Sequence, residues 1–335
     1  APAYAPPATP VTPAFKEQGP WTPAAPADAQ ARGRWWAMFS DPVLDDLEAR
    51  ADRANPSLAA AVAAYDQARA LAAQARAGLV PEIDGTATTQ RQRRSDNAPL
   101  RVGGPDAYST NQVGASAAYE IDLWGRLRNL AAGAGDRAQA SEADLRSMRL
   151  SLQADLADDY LSLRGLDAQL RLLQATVAAY ARALELTRIL HSGGAATGLD
   201  VGRAQTQLST AKAQLTDLTA QRALLEHAIA ALVGESASAF TLAPTDAALP
   251  QPKVAVSAPS TLLQRRPDIA AAERRAAAAN ADIGVARAAL FPALTLDGSA
   301  GWQTAGGIDL LSAPNTFWMV GPQLVGAIFD GGRRR

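Results

Sequence analysis

The fold is decided by residues 112–121, which read Gln112-Val113-Gly114-Ala115-Ser116-Ala117-Ala118-Tyr119-Glu120-Ile121. In an extended chain successive side chains point to opposite faces, so one face of this stretch carries Val113, Ala115, Ala117, Tyr119 and Ile121. Ten residues with this alternation match the length and the pattern of a strand that crosses an outer membrane. The stretch therefore predicts a transmembrane β-strand with these five side chains facing lipid.

Three further segments are predicted to be strands of the same kind. Residues 82–90 alternate more weakly and form a hairpin over 82–121, and the polar stretch that contains Arg91, Arg93 and Arg94 is predicted to be its loop. After Pro292, one face carries Leu294, Leu296, Ala300 and Trp302, while Thr295, Asp297 and Ser299 share the other. Residues 316–328 offer a fourth strand, which completes a second hairpin over 293–328.

Between the hairpins, residues 126–233 predict a long helical hairpin with coiled-coil packing. The segment 126–191 contains no Pro, and from Leu145 to Leu184 its apolar residues recur in steps of three and four. At about 1.5 Å per residue this helix would reach roughly 95 Å. Ser192-Gly193-Gly194 ends it, and a return helix runs from about Leu199 to Val233.

The same elements occur twice along the chain. Asn55-Pro56-Ser57-Leu58 returns as Arg266-Pro267-Asp268-Ile269, and Leu79-Val80-Pro81 returns at the same spacing as Leu290-Phe291-Pro292. We therefore predict an extended Pro-rich arm over 1–42, a first repeat over 43–245, a linker over 246–262 and an incomplete second repeat over 263–335, with its helix at 267–289. The second repeat ends where its helical hairpin should begin, so we expect roughly 110 further residues to complete it.

Four strands cannot close a barrel, because the smallest transmembrane barrels need about eight. Several chains must then contribute strands to one wall. The predicted fold class is mainly α with transmembrane β: a long α-helical hairpin plus four strands per chain, in a tandem repeat with a truncated second copy.

Composition excludes several classes of function. Lys and Arg total 32 against 33 Asp and Glu, a formal charge of −1, which gives no basic excess for binding nucleic acid. The chain has no Cys, and its two imidazoles, His191 and His227, lack acidic neighbours at ligand spacing. We assign no catalytic residue, metal or cofactor, and expect no enzyme. Arg91, Arg93 and Arg94 are interpreted as surface charge rather than an anion site.

Four blocks resemble the outer-membrane efflux factor family, of the TolC and OprM type, and more closely its NodT-like lipoprotein branch. These blocks are Trp35-Trp36-Ala37-Met38-Phe39-Ser40-Asp41-Pro42, Tyr119-Glu120-Ile121-Asp122-Leu123-Trp124-Gly125-Arg126, Gly194-Ala195-Ala196-Thr197-Gly198-Leu199-Asp200-Val201 and Leu262-Leu263-Gln264-Arg265-Arg266-Pro267. The resemblance implies a homotrimer whose twelve-stranded barrel in the outer membrane of a Gram-negative bacterium continues into a helical tunnel across the periplasm. It also implies an N-terminal lipid anchor on a Cys that this numbering lacks.

By the same resemblance, the tip of the helical hairpin contacts a periplasmic adaptor (membrane fusion) protein, which binds an inner-membrane pump. The tip residues are Gly193, Gly194, Ala195, Thr197 and Leu199, and Asp200 is a candidate gate at the tunnel mouth. From the residues alone, the tip also fits a plain helix-turn-helix cap, and Asp200 also fits the N-cap of the return helix.

The function expected from this resemblance is the passive conduction of drugs or other small molecules from pump and adaptor across the outer membrane. Two alternatives remain at the level of sequence. One is a periplasmic coiled-coil adaptor or scaffold without a pore, which leaves the apolar strand faces unexplained. The other is an outer-membrane duct for protein secretion, which the same architecture would serve.

Overall fold

The computed structural model describes Pro2 and residues 33–93, 95, 107–245, 265–306 and 309–334. Its helices are α1 Pro42–Ala54, α2 Pro56–Ala77, α3 Arg126–Ser192, α4 Gly198–Leu232 and α5 Pro267–Ala288, and its strands are β1 Glu82–Arg93, β2 Ala107–Ile121, β3 Ala293–Thr304 and β4 Thr316–Val325. Trp35–Phe39 and Ala313–Asn315 form short 3-10 helices. The predicted combination of a long helical hairpin with four strands is confirmed. Most of the predicted arm over 1–42 and the linker over 246–262 lie outside the described residues.

Two differences from the predicted elements concern the strands. β1 continues through Arg93, so the prediction that Arg91 and Arg93 belong to the hairpin loop is wrong. Polar composition suggested a loop there, but the backbone of β1 stays paired with β2 up to Arg93, opposite Ala107. β4 ends at Val325 rather than at residue 328, because Val325 pairs with Ala293, where β3 begins. Arg94 lies outside the described residues.

The described residues divide into two compact units. One unit holds Pro2, residues 65–142 and residues 271–334, and the other holds residues 33–64, 143–245 and 265–270. Each unit draws on both halves of the chain. The division into two sequence repeats therefore stays a prediction.

The first unit contains an antiparallel sheet in the order β1-β2-β3-β4. The register is continuous in all three pairs, for example Ala115 opposite Ala300 and Ala300 opposite Trp318. Among the described residues, no further strand pairs with β1 or with β4. The sheet therefore presents two open edges.

The two hairpins join where β2 meets β3 at a pair of glycines. Gly114 lies opposite Gly301. A Cβ added to Gly301 would lie 2.3 Å from the carbonyl oxygen of Val113 and 2.6 Å from the Cα of Gly114. These are backbone atoms, which cannot rotate away as a flexible side chain would. Only residues without a Cβ fit this joint.

The second unit has a hydrophobic core built by α1, α3 and α4. Asp41 caps α1, since its Oδ1 accepts hydrogen bonds from the backbone N–H of Val43 at 2.8 Å and of Leu44 at 3.3 Å. The buried core side chains include Trp36, Leu44, Leu47, Leu156, Tyr160, Leu163 and Ile229. Two residues of the predicted coiled-coil run, Met148 and Tyr180, are 43% and 37% exposed. A straight α-helix turns by about 20° per heptad relative to a strict heptad repeat, so one stripe does not stay buried along all of α3.

A polar network fastens the chain after α4 to α3 and α4. The carboxylate of Asp167 accepts from Arg164 at 3.0 Å and from Arg222 at 2.6 Å. These two guanidinium groups also donate to the carbonyl oxygens of Ala243 and Leu242. Glu226 completes the network, because it accepts from Arg222 and from the backbone N–H of Leu242.

Glu48 is a buried carboxyl on the inner face of α1. Its side chain is 2% exposed, and neither carboxyl oxygen has a hydrogen-bond partner among the described residues. Burial, followed by the negative charges of Asp52 and Asp45, raises its pKa from 4.5 to about 8. The folded protein therefore holds Glu48 protonated at neutral pH.

We predict that Gly301→Ala weakens the joint between the hairpins, by roughly 1–3 kcal/mol, because the new methyl group meets backbone on the neighbouring strand. The matched control is Gly85→Ala, since a Cβ at Gly85 meets nothing within 4 Å. The measurement is the urea midpoint for loss of the β-sheet signal. Equal midpoints for the two variants would contradict the close approach of β2 and β3.

We also predict that Glu48→Gln changes the pH dependence of stability. Because unfolded Glu48 loses its proton near pH 4.5 and folded Glu48 near pH 8, ionisation favours the unfolded chain increasingly across that window. The variant should be more stable than the wild type at pH 8, and the difference should shrink towards pH 4.5. Urea denaturation followed by helical circular dichroism tests this, with the exposed Glu185→Gln as control. If the stability of Glu48→Gln depended on pH in the same way as that of the wild type, the conclusion that burial raises the pKa of Glu48 would be wrong.

Candidate functional site

The sheet has two chemically different faces. Because the register is unbroken, residues opposite each other lie on the same face, and Tyr119, Leu296 and Pro322 occupy one row. The face that holds this row, called here the apolar face, carries Ile83, Gly85, Ala87, Val113, Ala115, Ala117, Tyr119, Ile121, Leu294, Leu296, Gly298, Ala300, Trp302, Trp318, Val320, Pro322 and Leu324. All eight side chains predicted to face lipid belong to it.

The opposite face, called here the polar face, carries hydroxyl, amide and carboxyl groups at most of its positions on β1, β2 and β3, and Phe317, Met319 and Val325 on β4. Its acidic residues are Glu82, Asp84, Glu120 and Asp297, and the described strands place no Lys or Arg on it. The hydroxyl of Thr295 donates to Asp297 at 3.1 Å, and Gln92 donates to the hydroxyl of Tyr108. An apolar face backed by a polar face is the arrangement of a sheet that separates lipid from water.

The passage from β2 to α3 is held by two ion pairs across six residues. Arg126 donates to both carboxyl oxygens of Glu120, through Nε at 2.8 Å and through Nη2. Asp122 accepts from the backbone N–H of Arg128 at 2.9 Å and from its Nε at 3.2 Å. Gly125 turns the chain between them with φ +77°, a conformation that favours glycine.

The electrostatics of this turn follow from the same contacts. Burial acts to raise the pKa of Asp122, but the hydrogen bonds from the backbone of Arg128 and Leu127 and the guanidinium of Arg128 outweigh it and lower that pKa. Asp122 therefore stays ionised and continues to accept the hydrogen bonds from Arg128 in the first turn of α3.

Trp124 links this turn to the start of β3. Its indole N–H donates to the carbonyl oxygen of Pro292 at 2.8 Å. Its ring stacks on Phe291, with the centroids 4.5 Å apart and the planes at 18°. Both rings are about half exposed, although they are large and apolar. The sequence placed Trp124 in one of the four blocks that resemble the family but did not predict this contact, because Pro292 and Phe291 lie more than 160 residues away along the chain.

The tip between α3 and α4 is a tight turn closed by hydrogen bonds. Gly194 has φ +77°, and the backbone N–H of Ala195 donates to the carbonyl oxygen of Leu190 at 2.8 Å. Thr197 is the N-cap of α4, and it forms a capping box with Asp200. Leu199 beside it is 63% exposed.

Asp200 therefore has a defined structural contact at the tip. Its Oδ2 accepts from the backbone N–H of Thr197 at 2.9 Å and from the Thr197 hydroxyl at 2.6 Å, and these bonds, with the hydroxyl first, lower the pKa of Asp200. The sequence allowed Asp200 to be either a gate or the N-cap of α4. The N-cap is Thr197, and Asp200 occupies the third position of α4. The gate at Asp200 stays a prediction.

No helix in the described ranges is long and apolar enough to cross a membrane. Within the same ranges, no group of His, Cys, Asp or Glu side chains could hold a metal ion.

Comparison with known proteins identifies the family. Residues 48–235 and 258–335 match the outer membrane efflux protein family. The chain belongs to this family. Two relatives are 36% identical over 320 residues: the pyoverdine export outer membrane protein OpmQ of Pseudomonas aeruginosa, which aligns with 93% of this chain, and the toluene efflux pump outer membrane protein TtgF of Pseudomonas putida, which aligns with 95%.

The chain spans just under two thirds of these relatives, 66% of OpmQ and 65% of TtgF. Among solved structures, that of the outer-membrane channel OprN superposes with a TM-score of 0.84 at 31% identity, covering 96% of this chain and 74% of OprN. Membership of this family and the names of the relatives indicate that the chain is located in the outer membrane.

For this family member we predict that Asp200→Ala opens the tip, because the variant loses the carboxylate that holds the backbone N–H and hydroxyl of Thr197. Trypsin should then cut faster after Arg203, in the first turns of α4, while cleavage after Arg182 stays unchanged. Leu199→Ala is the control, since Leu199 is mostly exposed. An unchanged rate after Arg203 would show that the capping box does not hold the turn.

Proposed function

We propose that this chain is the outer-membrane channel component of a tripartite efflux system and passively conducts small molecules outward. The observation that carries the proposal is the sheet with one apolar face, one polar face and two open edges. In lipid every backbone N–H and C=O needs a partner, so both edges must pair with strands. Three copies supply twelve strands, more than the eight or so that closure requires.

In this assembly the apolar face contacts lipid and the polar face lines the pore. The lipid contacts are those of Val113, Ala115, Ala117, Tyr119, Ile121, Leu294, Leu296 and Trp302. Carboxylates such as Asp84 and Asp297 then face the water-filled lumen without a Lys or Arg on the described strands of that face. Such a lumen favours cations and neutral solutes over anions.

The partners proposed for the periplasmic side are an adaptor protein and, through it, an inner-membrane pump. The adaptor contact is assigned to Gly193, Gly194, Ala195, Thr197 and Leu199. Leu199 is exposed, and a Cβ added to its neighbour Gly198 would meet nothing within 4 Å. The tip therefore offers an apolar side chain beside bare backbone, on which a partner helix can pack. Asp200 is retained as the candidate gate.

The substrate class is small organic molecules. The names of the two relatives specify pyoverdine export and toluene efflux. The names of these relatives give no support to a duct for protein secretion. A scaffold without a pore would leave the apolar face of the sheet unexplained.

The test is single-channel conductance in a planar bilayer, combined with one substitution on each face. The wild type should insert as a trimer and give discrete, cation-favouring conductance steps. Ala115→Arg places a charge in the middle of the apolar face and should cost about 2–4 kcal/mol of folding free energy in the bilayer. Ser116→Arg is the matched control on the polar face, where the charge meets water.

Two results would reject the proposal. One is a wild-type protein that remains monomeric in detergent and gives no conductance. The other is equal tolerance of Ala115→Arg and Ser116→Arg, which would mean that the two faces meet the same environment.

A further inference from the structure

The strand β4 places two large apolar side chains on the polar face of the sheet. Phe317 and Met319 are neighbours on that face, because Phe317 pairs with Gly301 and Met319 pairs with Ser299. The other strands contribute hydroxyl, carboxyl and glycine residues to the same two rows. Met319 is 64% exposed although its side chain is apolar. Phe317 and Met319, called here the β4 patch, therefore form an apolar area on a mostly polar surface.

Bare backbone lies beside the β4 patch. Gly301 and Gly114 follow Phe317 in its row. An added Cβ would lie 2.3 Å from a backbone oxygen at Gly301 and 2.7 Å from one at Gly114, so the pairing of β2 with β3 keeps both positions free of side chains. The next side chain of that row belongs to Thr86, three strands and about 14 Å away. This gap leaves room for an aromatic ring.

A carboxylate lies close to the β4 patch. Asp297 pairs with Gly321, which is two residues along β4 from Met319. At about 3.4 Å per residue and about 4.8 Å between strands, the Cα atoms of Asp297 and Met319 are about 8 Å apart. The hydroxyl of Thr295 donates to Asp297 at 3.1 Å, and a carboxylate keeps further acceptor sites beside one such bond. Since the four described strands place no Lys or Arg on this face, the carboxylate remains available to a cation from solution.

A second copy of the chain does not cover the β4 patch. In a closed ring of identical copies, the free edge of β4 pairs with the free edge of β1 in the next copy. The side chains of β1 on the polar face are those of Glu82, Asp84, Thr86, Thr88, Gln90 and Gln92. None of them offers a large apolar surface on which Phe317 or Met319 could pack. In the proposed assembly the β4 patch is therefore open to the lumen.

We propose that Phe317, Met319 and Asp297 form a subsite on the lumen wall for organic cations that carry an apolar ring, an inference that rests on the proposed function. The ring packs on Phe317 and Met319, because aromatic rings make favourable contacts with other rings and with thioether sulfur. The cationic group lies at Asp297, which is near enough for one small molecule to contact both. Such a site holds the molecule weakly, and conduction requires that a bound molecule can leave.

The experiment measures binding of benzyltrimethylammonium to the protein in lipid nanodiscs by saturation-transfer NMR, with the signal of empty nanodiscs subtracted. Met319→Ser should weaken binding about fivefold, because the ring loses its contact with the thioether. Asp297→Asn should weaken it about threefold, since an exposed ion pair contributes little. Met319→Leu keeps an apolar side chain and should bind within about twofold of the wild type.

Two matched controls make the same chemical changes away from the β4 patch. Met148→Ser removes a methionine that is 43% exposed on α3, and Asp309→Asn removes an exposed carboxylate outside the strands. Both variants should bind benzyltrimethylammonium as the wild type does. Weakening by either control as large as that by its partner on the sheet would overturn the assignment to this subsite.

Two further probes separate the ring from the charge. Tetramethylammonium has the charge without the ring, so its weaker binding should not change in Met319→Ser. Phenylacetate has the ring with the opposite charge, and Asp297 should repel it. Binding of phenylacetate as tight as that of benzyltrimethylammonium would overturn the role of Asp297 and with it the preference for cations.

Binding of benzyltrimethylammonium by Met319→Ser or by Asp297→Asn at the wild-type affinity would overturn the inference. The failure of the inference and that of the proposed function are distinguishable. A protein that conducts in a bilayer but binds the probe equally in all variants loses only the subsite. A protein that neither inserts nor conducts loses the proposed function as well.

Discussion

The structure depends on one constraint, the need of backbone N–H and C=O groups for partners where water is absent. The four strands satisfy this need among themselves along β1-β2-β3-β4, whereas in the described part of the chain no strand pairs with the outer edge of β1 or of β4. If the apolar face contacts lipid, as the proposed function requires, those edges lie in lipid as well, where an unpaired backbone group costs several kcal/mol. In the proposed assembly, association between copies is therefore a consequence of the hydrogen-bonding need of the strand edges.

The need of backbone groups for hydrogen-bond partners also explains why the turn after β2 makes so many hydrogen bonds and ion pairs. A strand with a period of two must become a helix with a period of 3.6 within a few residues, and the backbone is least satisfied there. Asp122 meets part of this demand by accepting from the backbone N–H of Arg128, while the ion pair between Glu120 and the side chain of Arg126 ties the two sides of the turn together. Gly125 supplies the positive φ, and Trp124 anchors the turn to Pro292.

The strands and helices were predictable from sequence to the extent that their pattern is periodic. Residues 112–121 and the Leu repeat of α3 were recognisable because each alternates at its own period along one contiguous stretch. Arg91 and Arg93 were misplaced because polar composition hid a strand whose pairing is visible only in space. The Asp167 network and the Gly114 and Gly301 joint were missed because their partners lie far away along the chain.

The joint between β2 and β3 also bears on the order of folding. Ile121 and Leu294 pair directly, although α3, α4 and α5 lie between them in sequence. Closing so long a loop carries an entropic penalty before any strand pairing compensates it, whereas helical turns need only near neighbours. The helices should therefore form early and the β2–β3 ladder late. Until that ladder closes, each hairpin is an isolated two-stranded ribbon with an apolar face and free edges, which is the state most exposed to aggregation during folding.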